Sequence, residues 1–239
     1  MKKIDLHVHT VHSDSPLTVA EVARRARRAK VTVGICDHLS PYHKMFEAGA
    51  FDDYVADIRG HGLLLGAEYC IGETIPVDDE RLAELDYLEG GLHAVDLGDK
   101  KYFFWGSEAP EDADAFVDRY LETTLAAVAN DPLDVIAHPT YLPAPLSERY
   151  DEIWDERRCR ELWGAAAARG VAVEISGRWS VPGPRQIELA LEMGATFAVG
   201  SDAHRREELF DVGYAYRMFE LFNVPEGRIF WPKRKKIKK

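Results

Sequence analysis

Nine side chains that can bind metal ions stand at the ends of short apolar segments of this chain. The segments read IDLHVH, GICDH, LLLGAE, EGGLH, DVIAH and FAVGSDAH, and an aspartate follows shortly after the first. The nine residues are His7, His9, Asp14, His38, Glu68, His93, His138, Asp202 and His204. Imidazole nitrogens and carboxylate oxygens are the ligands of divalent metals in hydrolases. Their recurrence at segment ends predicts a metal-dependent hydrolase.

Two segments carry their ligand types in pairs, two residues apart. In an extended strand His7 and His9 point to the same side, with Asp5 below them, because side chains alternate between the two faces. Asp202 and His204 repeat this spacing in the last segment. A strand is rigid, so such a pair can hold one metal ion from two adjacent positions. One pair alone is also compatible with packing, but six segments together are not.

The apolar segments alternate with longer helical patterns along the whole chain. This alternation predicts an α/β fold with seven β-α units around a parallel sheet. The strands are expected to end near His9, Asp37, Glu68, His93, His138, Ser176 and Asp202. The helices are expected near residues 18–29, 51–60, 79–85, 112–130, 153–169, 184–193 and 209–222. Long connections at 39–50, 96–111 and 140–151 follow strands, where a β/α barrel places its active-site loops.

The length and composition are compatible with a single domain. The chain has 239 residues, 46% of them hydrophobic, and an α/β barrel of this size often forms one domain. We predict a domain over residues 1–232 and a disordered basic tail over 233–239. Three cysteines without CxxC spacing argue against a disulfide framework. With no apolar stretch long enough to cross a bilayer and no leader-like start, we predict a cytoplasmic location without membrane contact.

The charge distribution argues against nucleic acid as a partner. The formal net charge is −11, although the last seven residues contribute six positive charges, so the other 232 residues carry −17. An acidic body repels a polyanion at long range, and only the tail attracts it. We therefore expect a small molecule as the partner, and make no prediction of the oligomeric state.

The ordered motifs resemble those of the polymerase and histidinol phosphatase (PHP) family. The stretches DLHVHTVHSD, CDH, GAEY, GLHAV, IAHPT, VEISGR and GSDAH occur in the family's order, from Asp5 to about Gly213. The resemblance implies a distorted (β/α)7 TIM-like barrel with a trinuclear metal site, in agreement with the seven units counted above. It also implies three divalent metal ions as cofactors, and the mixed ligand set suits Zn, Mn or Fe.

The resemblance assigns the nine ligand types to three metal ions. The first metal is expected at His7, His9, Glu68 and Asp202. Glu68 bridges to a second metal, which His93 and His138 also bind. The third is expected at Asp14, His38 and His204. Among these, Glu68, Asp202 and His204 are expected to be the residues closest to the catalytic chemistry.

A site of this kind favours a phosphate ester as its substrate. Three divalent ions outweigh the three carboxylates, and a hydroxide bridging the metals is expected to attack phosphorus. We predict a small phosphate monoester, with L-histidinol phosphate as the best-known case in the family. Arg178, which the resemblance places near the sixth-strand motif, is expected to bind the phosphate, and His43 is a candidate for substrate binding in the loop after His38.

Other polar and aromatic residues are expected to have supporting roles. We expect Asp5 and Asp37 to accept hydrogen bonds from the ring NH groups of ligating histidines. Glu174 is expected to bind neighbouring backbone or Arg178. His12 is expected at the rim or surface, and His61 at the opposite end of the barrel. The aromatic run 102–105 is interpreted either as a wall over the substrate or as packing of a long loop.

Three alternatives remain open. An amidohydrolase-like barrel that cleaves C–N bonds also begins with HxH, although the fourth strand here has no Lys and the sixth no His. A nuclease or phosphodiesterase is the second, because PHP modules accompany DNA polymerases. The third is a non-catalytic metal-binding regulatory protein that has kept the fold, against which the complete set of nine ligand types argues.

Overall fold

The strands are short and follow the apolar segments closely. The computed structural model describes residues 2–42, 49–106, 108 and 110–233. Within them the strands are β1 (Lys3–Asp5), β2 (Val31–Ile35), β3 (His38–Leu39), β4 (Leu64–Leu65), β5 (Glu68–Cys70), β6 (Glu89–Gly91), β7 (Ala94–Asp96), β8 (Lys101–Phe103), β9 (Val135–Ile136), β10 (Ala172–Ser176) and β11 (Phe197–Gly200). His43 and tail residues 234–239 lie outside the described ranges.

All strand pairs except one hairpin are parallel and follow the chain order. One ladder runs β1-β2-β4, a second runs β3-β5-β6-β9-β10-β11, and β7 and β8 form an antiparallel pair. Hydrogen bonds from Gly66 N to Ile35 O and from Glu68 N to Asp37 O join the two parallel ladders. Thus β2 with β3, and β4 with β5, each act as one interrupted strand, which leaves the seven strands that the sequence predicts.

The first strand also contacts the last one, so the seven strands form a ring. Leu6 N donates to Val199 O at 2.8 Å, and Val8 forms an isolated parallel bridge with Ala203. On its other side, Val8 O accepts from Cys36 N at 2.9 Å. The prediction of an α/β, TIM-like barrel fold is confirmed by this topology.

Helices separate successive strands and begin and end close to the expected residues. They are α1 (Val19–Ala29), α2 (Ala50–His61), α3 (Asp79–Leu82), α4 (Ala113–Asn130), α5 (Tyr150–Ile153), α6 (Glu156–Arg169), α7 (Pro184–Glu192) and α8 (Gly213–Leu221). Thr18 caps α1 by accepting from Glu21 N, as the sequence predicts, and Gly170 ends α6 at a φ of 71°. No helix within the described ranges is long and apolar enough to cross a membrane.

Two expected elements differ from the structure. The helix expected over 153–169 begins three residues later, because Asp155 caps it by accepting from Arg158 N, and the separate short helix α5 begins in the connection expected at 140–151. The connection at 96–111 is not irregular throughout, since β8 returns along β7 and forms a hairpin. Phe104, directly after β8, is buried against Phe116 and Tyr120. Long-range packing of this kind leaves no periodic signal in the sequence.

Candidate metal centre

The nine predicted residues meet at one end of the barrel, where the strands terminate. Six of them line a cavity of about 470 Å³ at this end, namely Asp14, His38, His93, His138, Asp202 and His204. His7, His9 and Glu68 lie directly below and are almost completely buried. The strand order therefore brings together residues that are up to 197 positions apart in the chain.

The first predicted group combines the first, third and last strands of the ring. Glu68 Oε2 lies 3.4 Å from His7 Nε2 and 3.8 Å from His9 Nε2. Asp202 Oδ1 lies 3.2 Å from His9 Nε2. His7 Nε2 and His9 Nε2 are buried and have no hydrogen-bond partner, and Glu68 Oε2 lies 2.9 Å from His38 Nδ1. Buried polar atoms that converge without partners fit a metal ion, whose bonds would compensate their loss of solvation.

The second group shares Glu68 with the first. Glu68 Oε1 lies 3.0 Å from His138 Nε2 and 3.3 Å from His93 Nε2. One oxygen of this carboxylate thus faces each group, which is the arrangement that a bridging ligand needs.

The third group lies nearer the solvent. His204 Nε2 is 3.4 Å from Asp14 Oδ1, and His38 Nε2 is 3.8 Å from Asp14 Oδ2. The rings of His9 and His204 stack with centroids 4.0 Å apart, which connects this group to the first. Together with His9, these three side chains form a cluster that can hold a metal ion.

The ligand types of the site strongly affect one another's pKa. Burial raises the pKa of Glu68, but the charges of His93, His7 and His38 outweigh it and hold that pKa well below its usual range. Burial lowers the pKa of His93, whereas Glu68 raises it, and the result is about 10. Burial, with the charges of His38 and His204, lowers the pKa of His9. Glu68 is therefore ionised, and available as a ligand, at neutral pH.

Two buried carboxylates hold the ring of His7 from below. Glu174 Oε1 lies 2.9 Å from His7 Nδ1, and Glu89 Oε2 lies 3.2 Å from the same atom. The other oxygen of Glu174 accepts from the backbone N of His138. The expectation that Glu174 binds neighbouring backbone is thus met, whereas Arg178 is not its partner. A carboxylate on the far ring nitrogen is the usual support of a metal-binding histidine.

The roles expected of Asp5 and Asp37 were wrong. Asp5 accepts from Ser201 N at 2.8 Å and Ser201 Oγ at 2.7 Å, and Asp37 accepts from Thr10 N and Thr10 Oγ1, both at 2.6 Å. Backbone and hydroxyl donors of adjacent loops lie closer to them than any ring NH. These carboxylates fix the loops that carry the ligand types, rather than the rings themselves.

Glu89 was missed in the sequence, although a signal was present. It lies four residues before His93, and therefore on the same face of an extended strand. Burial raises its pKa well above the usual value, and Glu174 and Glu68 raise it further, while the nearby His7 lowers it. A charged residue within an apolar segment, in register with a ligand type, indicates a position inside the barrel.

Two of the predicted residues have a strained backbone. His138 and Asp202 have positive φ values of 29° and 53°. Residues other than glycine adopt this region at an energetic cost, and such positions concentrate at functional sites. The Asp202 carboxylate is also oriented by Trp179, whose Nε1 donates to Oδ2 at 2.6 Å. This leaves Oδ1 directed at His9.

Arg178 lies at the cavity, beside the third group. Its Nη1 lies 2.8 Å from His204 Nδ1 and 3.1 Å from Asp202 O, and Glu208 Oε2 is 3.7 Å away. His12 pairs with Asp57 at 3.0 Å and does not line the cavity. His61 contacts Asp57 O and lies beside Val31 and Leu64, which begin β2 and β4 at the end of the barrel opposite the cavity.

The chain is similar to two phosphatases along most of its length. It is 29% identical over 254 residues to a probable phosphatase of Caldanaerobacter subterraneus, covering 98% of this chain and 89% of that protein. It is 27% identical over 249 residues to a probable phosphatase of Edwardsiella ictaluri, covering 96% and 89%. The DNA polymerase/3′-5′ exonuclease PolX of Bacillus subtilis is 26% identical, over 88% of this chain but only 35% of that protein. No family model matches.

One solved structure has the same fold. It is the histidinol phosphate phosphatase of Lactococcus lactis in complex with Zn, L-histidinol and phosphate, with a TM-score of 0.64 and 16% identity. The superposition covers 92% of this chain and 94% of that one. At this identity, the likeness supports the arrangement of the strands and helices described above.

Proposed function

We propose that this chain is a metal-dependent phosphoesterase of the PHP family that hydrolyses a small phosphate monoester at a trinuclear site. The family resemblance indicated by the motifs is confirmed, since the similarity to phosphatases extends over nearly the whole chain. The relatives likewise support the predicted hydrolysis of a phosphoester bond.

The observation that carries the proposal is the convergence of nine ligand types at one end of the barrel, in clusters that can hold metal ions. Ligand atoms of His7, His9 and Glu68 lie within 4.8 Å of one another, and the buried Nε2 atoms of both histidines make no hydrogen bond. Three divalent metal ions, when bound, would supply positive charge for the phosphate oxygens and a hydroxide for attack on phosphorus. Glu68, Asp202 and His204 are the proposed residues nearest this chemistry.

Arg178 is proposed to bind a phosphate oxygen. Its contact with His204 Nδ1 requires a lone pair on that nitrogen, whereas the contact of the same nitrogen with Asp202 O at 3.1 Å requires a proton there, so the two contacts exclude each other. A neutral imidazole that binds a metal through Nε2 keeps its proton on Nδ1, where it opposes the guanidinium as a second donor. Metal binding thereby frees the guanidinium, which can bind phosphate oxygens in a bidentate way.

The first experiment combines metal analysis with a panel of substrates. Protein loaded with Zn, Mn or Fe is assayed on phosphate monoesters, including L-histidinol phosphate, and on phosphodiesters and amides. We expect turnover of monoesters. Amide hydrolysis without phosphatase activity would favour the amidohydrolase-like alternative, and absence of all turnover by the fully loaded protein would favour a regulatory one.

Variants connect the activity to the predicted ligands. Changing Glu68 to Gln or His7 to Ala should lower metal content and turnover together, because both residues contribute to the first group. His61→Gln is the matched control, since His61 lies outside the cavity and pairs with Asp57. Full activity of either ligand variant would contradict the trinuclear assignment.

A second candidate is the removal of nucleotides from a DNA end. The similarity to PolX favours it, whereas the acidic body opposes it. Deleting residues 233–239 distinguishes a nuclease from a phosphomonoesterase, because the basic tail is the expected contact with DNA. Loss of oligonucleotide binding and cleavage on deletion, with phosphomonoester turnover unchanged, would favour the nuclease.

A further inference from the structure

We propose that the leaving group of the substrate carries a flat, uncharged aromatic ring, which binds against one wall of the cavity. The inference rests on the proposed phosphoesterase function and names the class of ester. Five aromatic side chains line this side of the cavity, which we call the aromatic wall: Tyr42, Phe104, Trp105, Tyr141 and Trp179.

The aromatic wall begins beside the candidate ligands and reaches the mouth of the cavity. The ring of Tyr141 lies 6.3 Å from that of His138 and 4.3 Å from that of Trp179. Phe104 contacts Tyr141 at 5.9 Å between centroids. A phosphate held by the ligand groups would therefore place its ester substituent along a surface of rings.

The outer part of the wall exposes large apolar side chains. Trp105 is 69% exposed and Tyr42 53%, and both border the cavity. Among the described residues, only Val11 and Leu221 are other large hydrophobics with comparable exposure. Exposed rings concentrated at the mouth of a cavity indicate a ligand that covers them.

Contacts within the protein hold the wall in place. Phe104 is buried against Phe116 and Tyr120, and the ring of Trp105 stacks on that of Phe103 at 4.9 Å. The β7-β8 hairpin carries this part of the chain, and Lys101 fixes it by pairing with Glu73. A rigid surface of rings favours a rigid, flat guest, because neither loses much conformational freedom on binding.

Cations already occupy positions at both ends of the wall. The Arg178 guanidinium lies 4.8 Å from the ring centre of Trp179, and Lys101 Nζ lies 5.9 Å from that of Tyr42. A positively charged ring would be repelled by Arg178 at the Trp179 end, whereas the charge of Lys101 is compensated by Glu73. An uncharged aromatic ring instead gains stacking and edge contacts from the wall without this repulsion.

A matched pair of esters tests the inference. 2-Phenylethyl phosphate and 2-cyclohexylethyl phosphate have primary alcohols of similar acidity and size as leaving groups, and differ in the flatness and π-electrons of the ring. We expect kcat/KM to be about fivefold to tenfold higher for the phenyl ester. Equal values, or a preference for cyclohexyl, would overturn the inference.

Substitutions in the aromatic wall test which residues cause the preference for the phenyl ester. The double change Tyr42→Ala and Trp105→Ala should bring the ratio of the two kcat/KM values to about one. Leu221→Ala, which truncates an exposed apolar residue outside the cavity, should leave the ratio as in the unchanged protein. A ratio that persists in the double variant would show that Tyr42 and Trp105 do not recognise the ring, and would overturn the inference for the exposed part of the wall.

Binding measurements distinguish a failure of this inference from a failure of the proposed function. If the metal-loaded protein hydrolyses neither ester nor glycerol phosphate, the proposed function fails. Calorimetry with the two corresponding phosphonates, which cannot be hydrolysed at the P–C bond, still measures the preference. Tighter binding of 2-phenylethylphosphonate supports the aromatic wall as a recognition surface, and equal affinities overturn it.

Discussion

At the scale of single residues, the site uses both oxygens of its carboxylates for different tasks. Glu68 directs Oε2 to the first group and Oε1 to the second, while Asp202 directs Oδ1 to His9 and Oδ2 to Trp179. Glu174 binds both His7 Nδ1 and the backbone of His138. Each of these side chains is thereby held in one orientation before a ligand arrives.

The indole of Trp179 should affect metal affinity through Asp202. Trp179→Phe keeps an aromatic ring but removes the NH that donates to Asp202 Oδ2. We expect the affinity for the first metal to fall about tenfold or more, measured by competition with a chelator. Trp231→Phe is the control, and an affinity unchanged in Trp179→Phe would refute the orienting role.

Arg178 should contribute to phosphate binding rather than to metal binding. Arg178→Met is expected to lower kcat/KM roughly 10- to 100-fold, the usual effect of losing hydrogen bonds to a charged group. The metal content should stay unchanged. Arg185→Met, which removes a surface arginine paired with Glu188, serves as the control. A loss of metal, or unaltered kinetics, would contradict this assignment.

At the scale of elements, small residues make room for the polar interior. A Cβ atom at Gly91 would overlap Glu68 Oε1, and one at Gly200 would overlap Glu174 Oε1. Gly34 and Gly66 likewise leave space for the ring of Tyr87, whose hydroxyl donates to Leu6 O. Glycines inside the barrel thus leave the space that the buried carboxylates and the ring of Tyr87 occupy.

Adding one methyl group at Gly91 should therefore disturb the bridging carboxylate. For Gly91→Ala we expect a destabilisation of about 1–3 kcal/mol and a lower metal content, because Glu68 must move. Gly60→Ala is the matched control, since nothing lies within 4 Å of a Cβ atom there. Stability is measured by denaturant unfolding of the metal-free proteins. Unchanged metal content in Gly91→Ala would argue against the bridging position of Glu68.

The elements show what can be predicted from sequence. The apolar segments predicted the strand ends correctly. Thr18, Pro184 and Gly170 predicted helix ends, because local hydrogen bonding and backbone conformation determine them. The β7-β8 hairpin was not predicted, because it depends on contacts of Phe104 with a distant helix. The hydrogen bond of Trp179 was equally hidden, since the direction of a loop side chain depends on tertiary packing.

At the scale of the whole molecule, metal ions should contribute to stability. The site concentrates ionised carboxylates and imidazoles in the interior, where such groups are costly without partners.

The single domain over residues 1–232 and the cytoplasmic location remain predictions.

Metal removal should therefore lower the melting temperature. At a metal concentration about 100 times Kd, we expect Tm to rise by roughly 5–10 °C relative to chelator-treated protein. The rise should be smaller in Glu68→Gln and unchanged in His61→Gln. Scanning calorimetry measures it, and an identical rise in Glu68→Gln would place the stabilising metals elsewhere.

The contact between the first and last strands has a consequence for the folding of the chain. The Val8–Ala203 bridge joins residues separated by most of the sequence, and the first group needs His9 from one side and Asp202 from the other. Contacts between residues this far apart cost loop-closure entropy before they contribute stability, so they form slowly. A partly folded chain therefore lacks the complete group, and tight metal uptake marks the completion of folding rather than the appearance of secondary structure.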